Sequence, residues 1–307
     1  MATNRQESST DQPGPYTFCW GRAVHDDRFY LPRRGEEQLL SALRAGQFCT
    51  AFASPMCGLT SLGFRLGRRL KAEGVQVAYI NSLYFGQAGH TEEMVYNTFA
   101  DLVSQELDLP EEDLAQEDHP LRGHSYSCPV RVEFNAACRC KLGEPERLRC
   151  FLEAIAERGP LSIVLDDTVP TFDDGEALSF LLRTSQGVTF LALLRACCGP
   201  RLSVCHLHSA CLPRPCPKVL LDVDCQIGLA HFTRDELVPL QSGLVGQKAP
   251  PEELLDEVFR ITEGHPHYTQ RLCDELVRTR ASGQSPAERI AELSAQVVIQ
   301  RKRVGAP

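Results

Sequence analysis

The chain has 307 residues, 43% of them hydrophobic, and a formal net charge of −8. Its length allows a well-packed core in one large or two modest domains, and its acidic balance argues against a nucleic-acid-binding protein, which usually presents a basic face. No apolar run approaches the roughly 20 residues of a membrane span, and the polar N-terminus lacks the hydrophobic core of a signal peptide. We therefore expect a cytoplasmic protein with no nucleic-acid or membrane partner.

The first predicted elements alternate between helix and strand. Residues 1–15 are polar and predict a disordered tail. Apolar spacing and closing glycines then predict, in chain order, a helix over 36–46, a strand over 47–53, a helix over 60–74 and a strand over 75–83. Two strands joined through a helix form a βαβ unit, and hence a parallel sheet.

The alternation continues to about residue 230, after which the chain is predicted to be almost wholly helical. The further elements are helices over 91–107 (capped by Thr91), 144–159, 175–184 and 188–197, and strands over 161–167, 201–208 and 218–223. The sequence therefore predicts a disordered tail over 1–15, an α/β domain with five strands over 16–230, and a helical lid subdomain over 231–307.

The stretch "FASPMCGLTSLGF" (52–64) has the outline of a phosphate-binding loop between a strand and a helix. The frame G-x-x-x-x-G-K-[ST] places Ala53 at the first glycine, Gly58 at the second, Leu59 at the lysine and Thr60 at the hydroxyl. In a working loop the backbone N–H groups surround phosphate, the lysine reaches the β- and γ-phosphates, and the hydroxyl holds Mg²⁺. Leu59 removes that cation. The pattern alone is equally compatible with an ordinary strand-to-helix turn.

The stretch "LSIVLDD" (161–167) is an apolar strand that ends in two carboxylates. This is the form of a Walker B strand, in which Asp166 would hold Mg²⁺ and Asp167 would stand, one methylene short, where a catalytic glutamate polarises water. A strand ending in aspartate is common by itself. Because Leu59 and Asp166 lie about 107 residues apart, with one strand and three helices between them, the pair suits the class in which an extra strand separates the two motifs.

Five segments over roughly residues 28–280 carry a more specific pattern. They are "FYLPRRGEEQLLSALRAGQFC", "SPMCGLTSLGFRLGRRLKAEGVQVAYINSL", "FDDGEALSFLLRTSQGVTFLALLRACCG", "DCQIGLAHFTRDELVPLQSGL" and "ITEGHPHYTQRLCDEL". Through them the chain resembles the AAA-like domain family of STAND-type (ASCE) P-loop ATPases, here with a degenerate Walker A motif. Members occur in large bacterial proteins alongside WD-repeat or other sensor modules.

The resemblance implies a P-loop NTPase-like three-layer sandwich with a five-stranded, mainly parallel sheet, followed by a smaller helical lid. It also implies ATP or ADP with Mg²⁺ as cofactor, with Asp166 and Thr60 at the metal. Asp167 takes the catalytic position in degenerate form. The positions that the match places at the nucleotide are Tyr30, Arg33, Ala53, Gly58, Leu59, Thr60, Ser61 and Pro266.

The residues that depart from the family pattern, Ala53, Leu59 and Asp167, occupy positions that bind phosphate or activate water, and they lead us to expect a pseudoenzyme. The favoured hypothesis is a degenerate nucleotide-binding module, a signalling switch or interaction scaffold with protein partners and room for a homo-oligomer, without efficient ATP hydrolysis. One alternative is an active ATPase in which Arg65 or Arg195 replaces the lysine. Another is a thiol or metal sensor built on the same fold.

Cysteines and histidines raise the question of disulfides and zinc. The 14 cysteines occur without an export signal in a chain far longer than disulfide-stapled scaffolds, so we expect reduced thiols. The cluster "CHLHSACLPRPC" contains the ligand types Cys205, His208, Cys211 and Cys216. Their spacing fits no closed zinc pattern well, and zinc is not favoured. The "CRC" at 138–140 is interpreted as incidental.

Overall fold

The computed structural model of the protein describes residues 16–20, 22–24, 30–84, 91–109, 144–168, 181, 184–209, 223–247, 249–278 and 290–292. The predicted tail, the stretch over 110–143, the "CRC" cysteines, most of the helix over 175–184 and nearly all of the strand over 218–223 lie outside these residues. The chain divides into two compact units. One is Pro32–Ala230, the sheet unit, and the other joins Met1–Leu31 to His231–Pro307, the helical unit.

The sheet unit is built on five parallel strands. They are β1 (Phe48–Ala53), β2 (Gln76–Asn81), β3 (Leu161–Asp167), β4 (Leu202–Ser209) and β5 (Cys225–Gly228), in the spatial order β2-β3-β4-β1-β5. The predicted α/β fold with a five-stranded parallel sheet is confirmed. β4 lies between β1 and β3, as the spacing of the two motifs predicted.

Helices cover both faces of this sheet. Those of the sheet unit are α1 (Glu36–Arg44), α2 (Leu59–Ala72), α3 (Glu92–Glu106), α4 (Glu144–Arg158) and α5 (Ser185–Cys197). α1 and α2 pack on one face, which we call the loop face, and α3, α4 and α5 pack on the other, which we call the far face. The predicted cap of α3 is present, because the side chain of Thr91 accepts a hydrogen bond from the backbone N–H of Met94 at 3.2 Å.

Alternation along the strands divides the core into two apolar clusters. Successive side chains of a strand point to opposite faces, so Ile163 packs on the far face and Val164 on the loop face. β3 and β4 are buried along their whole length, which is typical of a parallel sheet covered on both sides. None of the helices among the described residues combines the length and apolar character needed to cross a bilayer.

The helical unit has its own core. It contains a 3₁₀ helix over Asp235–Leu244, then α6 (Pro251–Thr262) and α7 (Pro266–Arg278). Pro239 lies inside the 3₁₀ segment and cannot donate a backbone hydrogen bond, which disfavours a regular α-helix there.

Residues 16–20 belong to the helical unit, although the sequence grouped them with the sheet domain. Tyr16 and Phe18 pack against the apolar core of that unit. The indole N–H of Trp20 donates to Asp274 at 2.8 Å, and its ring meets that of His267 edge-on. These aromatic contacts explain why the segment associates with the C-terminal helices.

Candidate functional site

The loop between β1 and α2 has the backbone form that binds anions. β1 ends at Ala53, and α2 begins at Leu59 directly after Gly58. Met56 and Gly58 both have positive φ, 61° and 87°, which turns the chain sharply at the N-terminus of the helix. A Cβ atom placed on Gly58 would meet nothing within 4 Å, so open space lies beside the loop. Free N–H groups and the helix dipole favour negative charge at such a position.

The residue in the place of the lysine is turned into the protein. Leu59 is 4% exposed and belongs to the apolar cluster of the loop face, together with Cys57 and Leu62. An aliphatic side chain gains nothing beside phosphate and is stabilised by burial. The loop therefore offers backbone donors but no lysine ammonium group.

Asp166 stands next to this loop with both carboxylate oxygens already hydrogen-bonded. Its Oδ1 accepts from the backbone N–H of Thr168 at 3.1 Å and from the Thr168 hydroxyl at 2.6 Å. Its Oδ2 accepts from the hydroxyl of Tyr79 at 2.5 Å. The Thr168 hydroxyl is also 3.1 Å from that of Thr60 in α2. The two motifs are thus brought together through a chain of hydroxyl groups.

Tyr79 is held as a hydrogen-bond donor. Burial and the adjacent charge of Asp166 raise the pKa of the Tyr79 phenol well above its usual value, so the phenol keeps its proton. Its ring also stacks on Phe64 of α2, with centroids 4.3 Å apart and planes inclined by 18°. This stack fixes the hydroxyl over the carboxylate.

Asp167 points to the far face and is fully buried. Its Oδ1 accepts from the hydroxyl of Ser82 at 2.5 Å, and its Oδ2 lies 3.3 Å from Nε2 of His206. Neither Asp167 nor His206 has any exposed side-chain surface. A carboxylate in this position is separated from the phosphate loop by the thickness of the sheet.

The remaining predicted residues fall in both units. Arg33 is buried in the sheet unit and donates a hydrogen bond to the backbone oxygen of Ala230 at 2.5 Å. Its guanidinium therefore holds the last residue of that unit. Ser61 is buried in the first turn of α2. Tyr30 and Pro266 are buried and belong to the helical unit. The assignment of Tyr30, Arg33 and Pro266 to a bound base stays a prediction.

The two arginines considered as substitute cations have other positions. Nε of Arg65 is 3.0 Å from a carboxylate oxygen of the buried Glu36, which ties α2 to α1. Arg195 lies in the last turn of α5, shortly before β4 begins at Leu202. This is the amino-terminal edge of the sheet, whereas the loop lies at the carboxyl edge, about 20 Å away along a six-residue strand. Arg195 therefore does not replace the lysine.

The four ligand types considered for zinc do not form one site. Cys205 packs in the cluster of the loop face, whereas His206 contacts Asp167 on the far face, and His208 stacks on His206. Cys205 and His208 thus lie on opposite sides of β4. Cys211 and Cys216 lie outside the described residues. The alternation of the strand excludes the combination of Cys205 with His208.

Sequence reasoning missed Tyr79, Thr168, Ser82 and His206, which make the contacts of the two aspartates. The signals were present but weak. Tyr79 is two residues before the end of its strand, and Thr168 directly follows the aspartate pair. Only the strand order, which puts β2 next to β3, shows that Tyr79 reaches Asp166.

Comparison with known proteins identifies the fold. No family model matches the chain. The chain is 26% identical, over 318 residues, to an uncharacterised WD repeat-containing protein of Synechocystis sp., and the match covers 97% of this chain but 24% of that protein. Among solved structures it resembles a Walker-type ATPase of Pyrococcus abyssi, with a TM-score of 0.57, 16% identity, and coverage of 91% of this chain and 76% of the other. The sheet and helices thus have the fold of P-loop ATPases.

Proposed function

We propose that the protein is a degenerate nucleotide-binding module of the STAND type, which acts as a signalling switch or interaction scaffold and does not hydrolyse ATP efficiently. One observation carries the proposal: the carboxylate that a P-loop ATPase uses for Mg²⁺, Asp166, has both oxygens occupied by Tyr79 and Thr168. The buried Leu59 in the place of the lysine supports the same conclusion.

Phosphoryl transfer depends on positioned charge, and each charged group of the usual set is missing, hydrogen-bonded to neighbouring side chains, or turned to the other face of the sheet. The lysine and Mg²⁺ neutralise the charge that develops on the transferred group, and a carboxylate or amide orients the attacking water. Here Leu59 is aliphatic, Asp166 is held by hydroxyl donors, and Asp167 is enclosed on the far face. None of these three side chains is therefore placed to stabilise the transition state of phosphoryl transfer.

The loop is suited to bind the phosphates of a nucleotide, whereas Asp166 is poorly suited to bind Mg²⁺. Its backbone turns at Met56 and Gly58 and leaves open space at the start of α2. Loss of one charge-assisted contact from lysine weakens binding by about 1.5–3 kcal/mol. We therefore expect ATP and ADP to bind weakly through backbone N–H groups, and Mg²⁺ to add little, because Tyr79 and Thr168 compete for the oxygens of Asp166.

A role in protein interaction is supported by the similarity to the WD repeat-containing protein of Synechocystis sp.. That protein carries WD repeats, and this chain matches about a quarter of its length. WD repeats form propellers. A nucleotide-responsive module beside such repeats would report the nucleotide state to partner proteins, which is the switch role proposed here.

Calorimetric titration with ATP and ADP, with and without Mg²⁺, together with a phosphate-release assay, tests this function. We expect weak binding that is insensitive to Mg²⁺ and no turnover above background. Turnover of about 0.1 per second or faster would contradict the proposal. Nucleotide binding that strengthens tenfold with Mg²⁺ would also contradict it. If neither ATP nor ADP binds, the protein does not act as a nucleotide-dependent switch.

Two glycine variants show whether the loop itself binds the nucleotide. Gly58 and Gly74 both have positive φ, 87° and 84°, and a Cβ on either meets nothing within 4 Å. Gly58→Ala and Gly74→Ala therefore impose similar backbone strain, of about 1 kcal/mol, at opposite ends of α2. We expect nucleotide affinity to fall in Gly58→Ala and to stay at the parent value in Gly74→Ala. Equal affinities in the two variants would place the nucleotide elsewhere.

A further inference from the structure

The segment over 16–20, which we call the strap, contacts the helical unit through aromatic side chains at every second position. Tyr16, Phe18 and Trp20 are half-buried, whereas Thr17 is exposed. Alternate side chains of an extended chain point to the same side, so the three aromatic rings belong to one face. Tyr16 and Phe18 pack on the apolar core of the unit, and their ring centroids are 5.6 Å apart. The strap therefore contacts the unit in the manner of an extended peptide ligand.

Polar contacts fix the position of the strap along the unit. The backbone N–H of Tyr16 donates to Oγ of Ser242 at 3.0 Å, and the Tyr16 hydroxyl accepts from the side-chain amide of Gln270 at 2.6 Å. The backbone N–H of Cys19 donates to Oε1 of the same glutamine at 3.3 Å. These contacts join positions 226 to 254 residues apart. The strap is thus bound to a surface that is remote from it in the sequence.

Gly243 lets the backbone of the strap approach closely. A Cβ atom at Gly243 would lie 2.4 Å from the backbone oxygen of Tyr16 and 2.7 Å from the ring of Phe18. Real Cβ atoms do not make contacts this short, so any larger residue at 243 would displace the strap. A glycine at a close backbone approach of this kind indicates a surface shaped for its occupant.

Charged side chains of α7 bind the other end of the strap. The carboxylate of Asp274 accepts from the indole N–H of Trp20, and the guanidinium of Arg271 lies 5.1 Å from the centre of the ring, where a cation is attracted to it. The ring of His267 meets the indole edge-on. We call this surface the strap groove, and its residues are Ser242, Gly243, His267, Gln270, Arg271 and Asp274.

We propose that the strap groove is a docking site for the strap of a second copy of this chain, and that the chain's own strap occupies the groove until it is released. Each copy carries both the strap and the groove, so an exchange between two copies replaces every contact with an identical one. None of these residues belongs to the phosphate loop, and the proposal is therefore independent of nucleotide binding.

The strap is suited to release and to reach a neighbouring chain. It is a short segment with half-buried rings, and segments with little buried apolar surface open at a low free-energy cost. Leu31 belongs to the core of the same unit, and about ten residues, 21–30, connect it to the strap. A segment of that length spans at most about 33–36 Å, which allows the strap to reach the groove of a second copy.

A labelled peptide tests whether the groove binds the strap in trans. A fluorescein-labelled peptide of residues 14–22 is titrated with the full chain and its variants, and fluorescence anisotropy is measured. We expect Trp20→Ala to bind the peptide at least about tenfold more tightly than the parent, because its weakened strap competes less for the groove. Equal affinities of the parent and Trp20→Ala would overturn the proposal.

Groove variants made in the Trp20→Ala chain show where the peptide binds. Gly243→Ala should abolish peptide binding, and Ser242→Ala, which removes an acceptor at the exposed rim of the groove, should weaken it. Gly199→Ala is the matched control, because a Cβ atom there meets nothing within 4 Å, and it should leave binding unchanged. Binding that survives both groove variants would refute the assignment of the groove.

Complementation of two full-length variants tests the second copy as the partner. Trp20→Ala keeps its groove, and Gly243→Ala keeps its strap, so sedimentation of their mixture should show a heavier species than either variant forms alone at the same total concentration. The control mixture pairs Trp20→Ala with the double variant Trp20→Ala/Gly243→Ala, which has neither element, and should show no such species. Absence of the heavier species from the first mixture would overturn the second copy as partner, even where the peptide binds.

Discussion

The hydroxyl of Tyr79 donates a 2.5 Å hydrogen bond to Oδ2 of Asp166. The two residues lie on adjacent strands, with Tyr79 two positions before Asn81, the register partner of Asp166. The protein therefore supplies an internal donor at the oxygen where an active P-loop ATPase has its metal. Because the tyrosine ring is stacked on Phe64, the hydroxyl does not leave without disturbing the packing of α2.

Removal of this hydroxyl should make nucleotide binding sensitive to magnesium. Tyr79→Phe keeps the ring stack and frees Oδ2 of Asp166, so we expect ATP affinity to increase on addition of Mg²⁺, in contrast to the parent. Calorimetric titration with and without Mg²⁺ measures this. Tyr96→Phe is the matched control, because its hydroxyl also donates to a carboxylate, that of Glu92 at 2.6 Å, in another part of the unit. Equal Mg²⁺ responses in both variants would contradict the role of Tyr79.

Restoring the lysine should strengthen nucleotide binding and weaken the fold. Leu59→Lys adds a charge-assisted phosphate contact, and we expect ATP affinity to rise by about tenfold or more, which corresponds to the roughly 1.5–3 kcal/mol lost with the lysine. It also removes a buried leucine from the loop-face cluster, so the free energy of unfolding should fall by about 1.5–3 kcal/mol. Calorimetry and urea unfolding measure the two effects. Leu59→Met, which conserves volume, should change neither; ATP affinity unchanged in Leu59→Lys would show that the loop does not bind phosphate.

Asp101 in α3 should make the stability of the sheet unit depend on pH. Burial raises the pKa of Asp101 to about 6, against 3.8 for the free side chain. The folded state thus keeps a proton that the unfolded state loses. The contribution of this group is fully present below pH 3.8 and is lost as the pH rises through about 6. Asp101→Asn should therefore be more stable than the parent at pH 7, with the difference disappearing near pH 4.

Urea unfolding at pH 4, 5, 6 and 7 checks this expectation. The exposed Glu93→Gln on the same helix removes one negative charge without the burial, and it should show no comparable pH dependence. A difference between Asp101→Asn and the parent that stays constant with pH would mean that desolvation of Asp101 is not the cause.

The thiols should be reduced and slow to react. The nine cysteines among the described residues are all free, and burial raises the pKa of the Cys205 thiol to about 12. Because the thiolate is the reactive form, a thiol reagent should modify Cys205 and the equally buried Cys49 and Cys273 only after denaturation. Thiol counting on denatured protein, prepared without reductant and protected from air, should find nearly all 14. Two or more reproducible disulfides would refute the expectation of reduced thiols.

Trp20 should report on the attachment of residues 16–20 to the helical unit. It is the one tryptophan in the sequence, its indole N–H donates to Asp274, and the guanidinium of Arg271 lies 5.1 Å from its ring. Asp274→Ala removes the acceptor, so we expect the fluorescence maximum to move to longer wavelength as the ring becomes more hydrated. Asp256→Ala, which removes an exposed partner of Arg234, is the control and should leave the emission unchanged. The same emission from both variants would show that the hydrogen bond does not hold the ring.

The sequence was sufficient for β1 to β4 because their signals are local, but it placed the fifth strand over 218–223, whereas β5 lies over Cys225–Gly228. Apolar runs and closing glycines placed β1 and α2 to within one or two residues of their observed bounds, and the spacing of Leu59 from Asp166 was enough to expect a strand between their motifs. Residues 16–20 were grouped differently because their contacts, such as that between Trp20 and Asp274, join positions 254 residues apart.

The contacts of the aspartate pair could not be predicted for a similar reason. Whether a carboxylate binds a metal or a neighbouring hydroxyl depends on side chains from strands that are adjacent only after folding. Tyr79 and Ser82, far from the aspartates in sequence, carry no motif of their own. The same holds for His208, which was grouped with Cys205 as a possible zinc ligand, whereas the alternation of β4 places the two side chains on opposite faces of the sheet.

The position of β1 in the sheet has a consequence for biosynthesis. β1 is flanked by β4 and β5, and Cys49 is in register with Cys205 and Cys225. The first of these partners is about 156 residues further along the chain, which at about 5–20 residues per second leaves the ribosome roughly 8–30 seconds after β1. Throughout that interval an apolar strand and its loop have no sheet to join. An unpaired apolar strand can pair with a strand of another chain, so the interval between synthesis of β1 and β4 is the stage at which aggregation of the nascent chain is expected.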